Sequence, residues 1–239
     1  MRQFGLIGKN LNYSFSKDFF DQKFELENIN NCSYNLFELE NLDSFKNFIV
    51  KNKIEGLNIT IPYKQEIIQF VDELSIEAKT INAVNCLKIA NQKIIGHNTD
   101  YIGFSDSIKP LLKPVHKKAL ILGSGGASKA IAFAFTKMGV DYFIVSRKKE
   151  LNYECLDKDM LNDHKVIINC TPLGTSPIVD ECPNIPYKYL TEQHLLYDLV
   201  YNPKESLFLK KGKQKKATTK NGFEMLKIQA LKSWEIWNS

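Results

Sequence analysis

Ala119-Leu120-Ile121-Leu122-Gly123-Ser124-Gly125-Gly126-Ala127-Ser128 joins a short apolar run to a glycine-rich turn, and residues 129–138 continue it as a small, apolar, helix-compatible stretch. A buried strand, a tight turn and a helix start in that order form the opening of a dinucleotide-binding unit. Gly123 and Gly125 permit the turn and a close approach of backbone to a pyrophosphate. The helix start supplies unpaired N–H groups and the positive end of a dipole. The third glycine position of the pattern holds Ser128. Ser124, Gly126 and Ala127 complete the loop as candidate cofactor-binding residues.

Outward from this run, further strands are expected at residues 142–145, 166–168 and 195–200. A short strand at 153–156 is also expected, although only residues 146–152 separate it from the strand before it. A parallel crossover needs about a dozen residues, so either that strand is not parallel or the usual helix is missing. Where an NAD site normally carries Asp or Glu about twenty residues past the glycines, this chain has Ser146-Arg147-Lys148. A carboxylate would repel a ribose 2′-phosphate, whereas a guanidinium meets it with paired charge-assisted bonds, so NADP is the expected cofactor.

The N-terminal hundred residues alternate strands, expected at 3–7, 34–39 and 56–60, with helices at 17–26 and 42–50. Ser16, and Asp43 or Ser44, offer N-cap chemistry. Residues 84–90 and 93–96 read as a hairpin turning at Asn91-Gln92 near the sheet edge. A helix over 101–112 has Asp100 as a candidate cap, and an amphipathic helix at 222–237 is expected to close the molecule across the first domain. The expected class is therefore α/β, with two α/β domains and a cleft between them. The first is an N-terminal substrate domain with a mostly parallel sheet, residues 1–100 plus 221–239. The second is a Rossmann-type domain, residues 101–220.

Composition narrows the function. The 239 residues are 44% hydrophobic and 25% charged, with a net charge of +5, which excludes disordered and fibrous classes. The lysines at 210, 211, 213, 215 and 216 form a dense cluster without interleaved aromatics, read as a solvated turn, so no nucleic-acid partner is expected. Five scattered cysteines without a CxxC pair point to reduced thiols in a cytoplasm. No apolar run reaches membrane length and no signal-peptide pattern opens the chain, so neither membrane nor export is expected. The four histidines lack metal-ligand spacing, and no metal is expected.

Polar stretches follow several of the N-terminal strands: Ser14-Phe15-Ser16, Asn58 to Lys64, Asn82-Ala83-Val84-Asn85 and Asn98-Thr99-Asp100. Together with Gly8, the intact Gly56-x-Asn58-x-Thr60-x-Pro62-x-Lys64, Gly96, the turn Asn169 to Gly174, the run Tyr197 to Pro203 and the pattern Gly222-x-x-Met225-Leu226-x-x-Gln229, they occur in the order found in shikimate dehydrogenases. The chain resembles that family over most of its length. It departs at Tyr13, Lys17, Asn82, Cys86 and Ser146, where His, Pro, Gly, Thr and Asn are usual, and in a shortened stretch over 148–165.

The resemblance implies reversible NADPH-dependent reduction of 3-dehydroshikimate to shikimate, a step toward chorismate and the aromatic amino acids. It further implies Lys64 and Asp100 as the catalytic acid/base pair. Ser14, Ser16 and Thr60 are implied to hold the substrate carboxylate, with Tyr201 beside it from the nucleotide domain, and Asn85, Asp100 and Gln229 to bind ring hydroxyls. The implied cofactor contacts are the glycine loop, Ser146, Arg147, Lys148, Thr171 and Gly222. The expected partner is a small molecule, and the expected state monomer or homodimer. Two alternatives stay open: an enzyme using NAD, quinate or an amino-hydroxybenzoate analogue, and a catalytically silent dinucleotide-binding homologue.

Overall fold

The computed structural model describes residues 1–9, 11, 14–147 and 151–239. Two compact units emerge, Met1–Asp100 with Gln229–Ser239, and Tyr101–Ile228.

The first unit contains β1 (Arg2–Gly8), α1 (Phe15–Leu26), β2 (Cys32–Glu38), α2 (Phe45–Asn52), β3 (Ile54–Ile59), β4 (Glu73–Leu74), α3 (Ile76–Ile81), β5 (Cys86–Ala90) and β6 (Lys93–His97). A 3-10 helix, Glu66–Phe70, lies between β3 and β4. Its sheet runs β2-β1-β3-β5-β6-β4. The β1–β2, β1–β3 and β4–β6 pairs are parallel, and β5 is antiparallel to both neighbours. The hairpin forms as expected. Asn91 and Gln92 both take positive φ, 51° and 62°, which a two-residue primed turn demands.

Side-chain alternation gives this sheet two faces. Ile7, Leu57 and Ile59 face a core with Phe45 and Ile49 of α2 and Ala78 of α3. Phe4, Leu6 and Tyr34 face the other, with Phe20 and Phe24 of α1 and Ala230 and Trp237 near the C-terminus. Aromatic rings fill that second core: Phe20 stacks on Tyr34 at 4.5 Å and Phe4 on Trp237 at 4.8 Å.

The remaining elements are α4 (Asp100–Ile108), β7 (Lys118–Leu122), α5 (Gly126–Met138), β8 (Asp141–Val145), α6 (Lys158–Asp163), β9 (Val166–Asn169), β10 (Leu195–Asp198), α7 (Leu207–Gln214), β11 (Thr218–Asn221) and α8 (Phe223–Trp237). All pairs of the second sheet, β11-β10-β9-β7-β8, are parallel. Both faces are covered. Ala119, Ile121, Val166, Ile168, Leu195 and Tyr197 face Phe104, Ile131 and Phe135, while Leu120, Leu122, Ile167 and Leu196 face Leu161, Phe208 and Leu209. Near-continuous apolar strands are what a parallel sheet buried on both sides requires.

Several expectations are corrected. The residue capping α1 is Ser14, and Ser16 lies inside the first turn. The strand expected at 153–156 is a 3-10 helix, Tyr153–Cys155, followed by the short α6, so the connection from β8 to β9 adds no strand among the described residues. The helix expected over 101–112 ends at Ile108, where a 3-10 turn carrying Pro110 takes over, and Asp100 is its first residue rather than its cap. The lysine cluster is a turn only at Lys215 and Lys216: Lys210, Lys211 and Lys213 lie on α7, whose Phe208, Leu209 and Gly212 are buried.

Candidate active site

In the first unit, strand directions gather the polar stretches at one edge of the sheet. β1, β3 and β6 run the same way, so Gly8 closes the first and Thr60 and Asn98 follow the other two at one end of the sheet, where the antiparallel β5 begins with Asn85 just before it. Backbone bonds tie the segments together. Thr60 N–H donates to Ile7 O at 2.9 Å, Asn85 N–H to His97 O at 3.1 Å, and Val84 N–H to Lys64 O at 2.7 Å. The last of these fixes the turn that carries Lys64, and the Tyr63 hydroxyl holds the same turn by donating to Leu39 O.

Lys64 Nζ lies 2.7 Å from Asp100 Oδ2, with side chains 17% and 8% exposed. The other carboxylate oxygen accepts from Asn85 Nδ2 at 2.9 Å. Asn85 also reaches Gln229 Oε1 at 3.3 Å and Thr99 Oγ1 at 3.0 Å, and its own Oδ1 accepts the Thr99 N–H at 2.6 Å. Four of the residues expected from sequence, Lys64, Asp100, Asn85 and Gln229, thus form one connected group although up to 165 positions separate them. Thr60 packs on Gly8, where an added Cβ would lie 2.4 Å from its Cγ2. Ser14 makes no side-chain cap bond to α1. Ser16 is buried beside the Tyr34 hydroxyl; burial pushes that phenol well above its ordinary pKa, and the Ser16 hydrogen bond opposes the shift.

Sequence reasoning left unassigned the residues behind this group. The Tyr34 hydroxyl donates to Asn58 Oδ1 at 2.8 Å, and Asn58 Nδ2 donates to Ser233 Oγ at 2.8 Å. All three are buried. The available signal was the polarity of Asn58 between Leu57 and Ile59, which requires a buried partner, whereas Tyr34 between Ser33 and Asn35 and Ser233 beside Lys232 carry no such mark.

In the second unit, neighbouring β7 and β9 mark the point where the winding of the sheet reverses, and ligands of open parallel sheets bind outside the strand ends there. Gly123 stands at that position with φ of 113°, its N–H donating to Val145 O at 2.8 Å. A Cβ on it would press on Cys170 backbone and Thr171 Cγ2 at 3.3 Å, so the glycine loop and the turn after β9 lie against each other. Gly125, the N-cap of α5, has nothing within 4 Å of a built Cβ, leaving open space beside the first N–H groups of the helix. Ser124 is exposed, Gly126 and Ala127 are half-buried, and Ser128 Oγ donates to Gly125 O at 2.7 Å. Ser146 is buried at the end of β8 and Arg147 beside it is exposed. This set fits a dinucleotide with an added phosphate. Gly222 packs on Leu199 backbone, where a Cβ would meet Leu199 O at 2.3 Å. Tyr201 is half-buried in this unit, and Lys148 lies outside the described residues.

Asp198, at the end of β10, is fully buried and accepts from Asn169 Nδ2 at 2.9 Å, Val200 N–H at 3.0 Å and the Ser206 hydroxyl. Burial raises its carboxyl pKa to about 6 despite those donors. The histidines serve the fold: His194 bonds Leu161 O at 2.9 Å and His116 bonds Gln193 O at 3.0 Å, and burial lowers both pKa values. Among the described residues no three His, Cys, Asp or Glu side chains come together as a metal site, and no helix is long and apolar enough to cross a membrane.

The second unit is built as a Rossmann-type dinucleotide binder, and the chain falls in the class of two-unit α/β proteins that carry one. Comparison with known proteins narrows the class. Residues 6–87 match the profile described as the shikimate dehydrogenase substrate binding domain. A shikimate dehydrogenase (NADP(+)) of Clostridium botulinum is 37% identical over 247 residues, covering 98% of this chain and 95% of the relative. The crystal structure of shikimate dehydrogenase from Aquifex aeolicus superposes with a TM-score of 0.90 at 33% identity, over 100% of this chain and 92% of that one. The Thermus thermophilus enzyme, solved in complex with NADP(H) and shikimate, gives 0.86 at 27% identity, over 99% and 93%. The chain belongs to the shikimate dehydrogenase family.

Proposed function

We propose that this protein is an NADP-dependent shikimate dehydrogenase, reducing 3-dehydroshikimate to shikimate reversibly. The observation that carries the reading is the Lys64–Asp100 pair at 2.7 Å, with Asn85 bonded to the same carboxylate. NADPH, when bound, supplies the hydride that goes to the C3 carbonyl carbon. Lys64 gives a proton from Nζ to the oxygen that becomes the hydroxyl, and in the reverse direction the neutral amine takes that proton back. Asp100 holds the ammonium in place through Oδ2 and is itself held by Asn85.

Residues of the first unit take the substrate. Ser14, Ser16 and Thr60 bind its carboxylate, and Asn85, Asp100 and Gln229 its hydroxyls. The glycine loop, Thr171 and Gly222 take the dinucleotide, while Ser146, Arg147 and Lys148 take its 2′-phosphate. The enzyme works in the cytoplasm as a monomer or homodimer on small molecules, without a nucleic-acid or membrane partner. The absence of a CxxC pair among its five cysteines supports the reducing compartment.

The test is NADP+ reduction, followed by NADPH absorbance, when purified protein receives shikimate. Turnover with shikimate and NADP+, exceeding that with quinate or NAD+, is the expected result. No turnover, or faster turnover with quinate or NAD+, overturns the proposal.

A further inference from the structure

Thr99 is completely buried and bonded to Asn85 and Gln229 of the proposed centre and to Ser233 behind it, yet nothing in its own side chain has a place in the acid/base step. Counting protons shows what it does. Asn85 Nδ2 has two hydrogens, and its two shortest acceptors are Asp100 Oδ1 at 2.9 Å and Thr99 Oγ1 at 3.0 Å. Asn85 Oδ1 is filled from the other side by Thr99 N–H at 2.6 Å. A carboxamide flipped end for end would set its oxygen against the Asp100 carboxylate and its NH2 against a backbone N–H, two repulsive contacts in a buried site. The threonine therefore reads the Asn85 amide at both ends.

Its hydroxyl proton has three acceptors within reach, Asn85 Oδ1 and Ser233 Oγ at 3.3 Å and Gln229 Oε1 at 3.4 Å, and the first of these already takes the Thr99 N–H. Ser233 donates its own proton to Gln229 O at 2.9 Å and accepts from Asn58, so its oxygen faces Thr99 as an acceptor. With Asn85 Oδ1 filled by the shorter N–H bond, the one hydroxyl accepts from the side chain that orients Asp100 and donates toward the segment that presents Gln229.

We propose that Thr99 is a positioning residue of the Lys64 centre: its hydroxyl and backbone N–H lock the Asn85 carboxamide, and through it the Asp100 carboxylate facing Lys64 and the ring-hydroxyl contacts made by Asn85 and Gln229. The inference rests on the shikimate dehydrogenase reading. It adds a residue that touches neither substrate nor cofactor.

Three variants test it: Thr99→Val, which swaps the hydroxyl for a methyl of the same size; Thr99→Ala, which deletes it without bulk; and Thr99→Ser, which keeps it. Loss of one buried bond at such a site corresponds to about a tenfold effect. The valine and alanine variants are expected to lose about tenfold or more in kcat/KM for shikimate, with KM for shikimate raised and KM for NADP+ unchanged, while the serine variant stays within about threefold of the parent. A purely structural role would reduce the amount of active enzyme and leave the shikimate KM in place. Parent-like kinetics in the valine and alanine variants, or a serine variant as impaired as either, overturns the proposal.

A crystal structure of the valine variant, or of the alanine variant should valine not fold, decides the point without activity. Asn85 Nδ2 should leave hydrogen-bond distance of Asp100 Oδ1, and an Asn85 that keeps that bond sinks the positioning role. A parent enzyme that never oxidises shikimate would refute the proposed function instead, and the same crystallographic comparison would still settle Thr99.

Discussion

Lys64 sits in a turn whose backbone is pinned from two directions, so its amine is delivered to Asp100 by the fold rather than by a flexible side chain searching for a partner. Lys64→Ala removes the proposed proton donor and leaves that backbone intact. Turnover should fall at least about a hundredfold, the usual scale of acid–base catalysis, with NADPH affinity from fluorescence titration unchanged. Near-parent turnover would remove Lys64 from the chemistry. Arg147 permits a parallel test in the other unit. It is exposed at the end of β8, where a 2′-phosphate would be met, so Arg147→Ala should raise the KM for NADP+ by about tenfold while leaving the KM for NAD+ alone. Equal changes for both cofactors would mean that the guanidinium does not read the phosphate. Lys64 and Asp100 were legible because ordered motifs name both and their side chains suit acid/base work; Thr99 stands in the same motif as Asp100, yet its part and that of Ser233 were not legible, since a hydroxyl that works through a carboxamide looks in sequence like any small polar residue.

The same contrast holds for whole elements. α5 and β7 declare themselves by an apolar run, glycines and a small-residue helix, whereas α7 was hidden by its lysines: their density suggested a turn, although Phe208, Leu209 and Gly212 recur at helical spacing on one face. Gly212 reads as a breaker until its surroundings are known; a Cβ there would lie 2.5 Å from Leu196 Cδ2. β11, Thr-Thr-Lys-Asn, has no buried residue and owes its strand form to pairing with β10. The C-terminal helix shows what such tertiary dependence is worth. Trp237 is 4% exposed, donates from Nε1 to Leu87 O at 2.9 Å, and fits only because position 56 is glycine, where a Cβ would come within 2.5 Å of its ring. Trp237→Ala opens a ring-sized void beside Phe4 and Phe20, and should cost about 3–5 kcal/mol in urea unfolding followed by circular dichroism. A loss below about 1 kcal/mol would mean that the core refills, contrary to the packing described.

On the scale of the molecule, stability must respond to pH through groups that burial has displaced from their ordinary range, and Asp198 is such a carboxylate. With its folded pKa near 6, the folded state holds its proton more tightly than the unfolded chain does. Between about pH 4 and about pH 6 the folded state therefore binds more protons, and stability from this group is fully present below the unfolded pKa and is lost as pH rises through the folded one. The direction is opposite to that of a salt-bridged surface aspartate such as Asp163, whose pKa is lowered chiefly by its hydrogen bond to Lys118. Asp198→Asn keeps the shape and an acceptor for Asn169 and Val200 but carries no charge at any pH. Urea unfolding of parent and variant across this range should therefore show the variant gaining on the parent as pH rises, by on the order of 2 kcal/mol, and the gap levelling off above about pH 7. A gap that stays constant with pH would show that folding does not displace this carboxyl's pKa, and one that closes as pH rises would show that its three donors hold it ionised below the unfolded value.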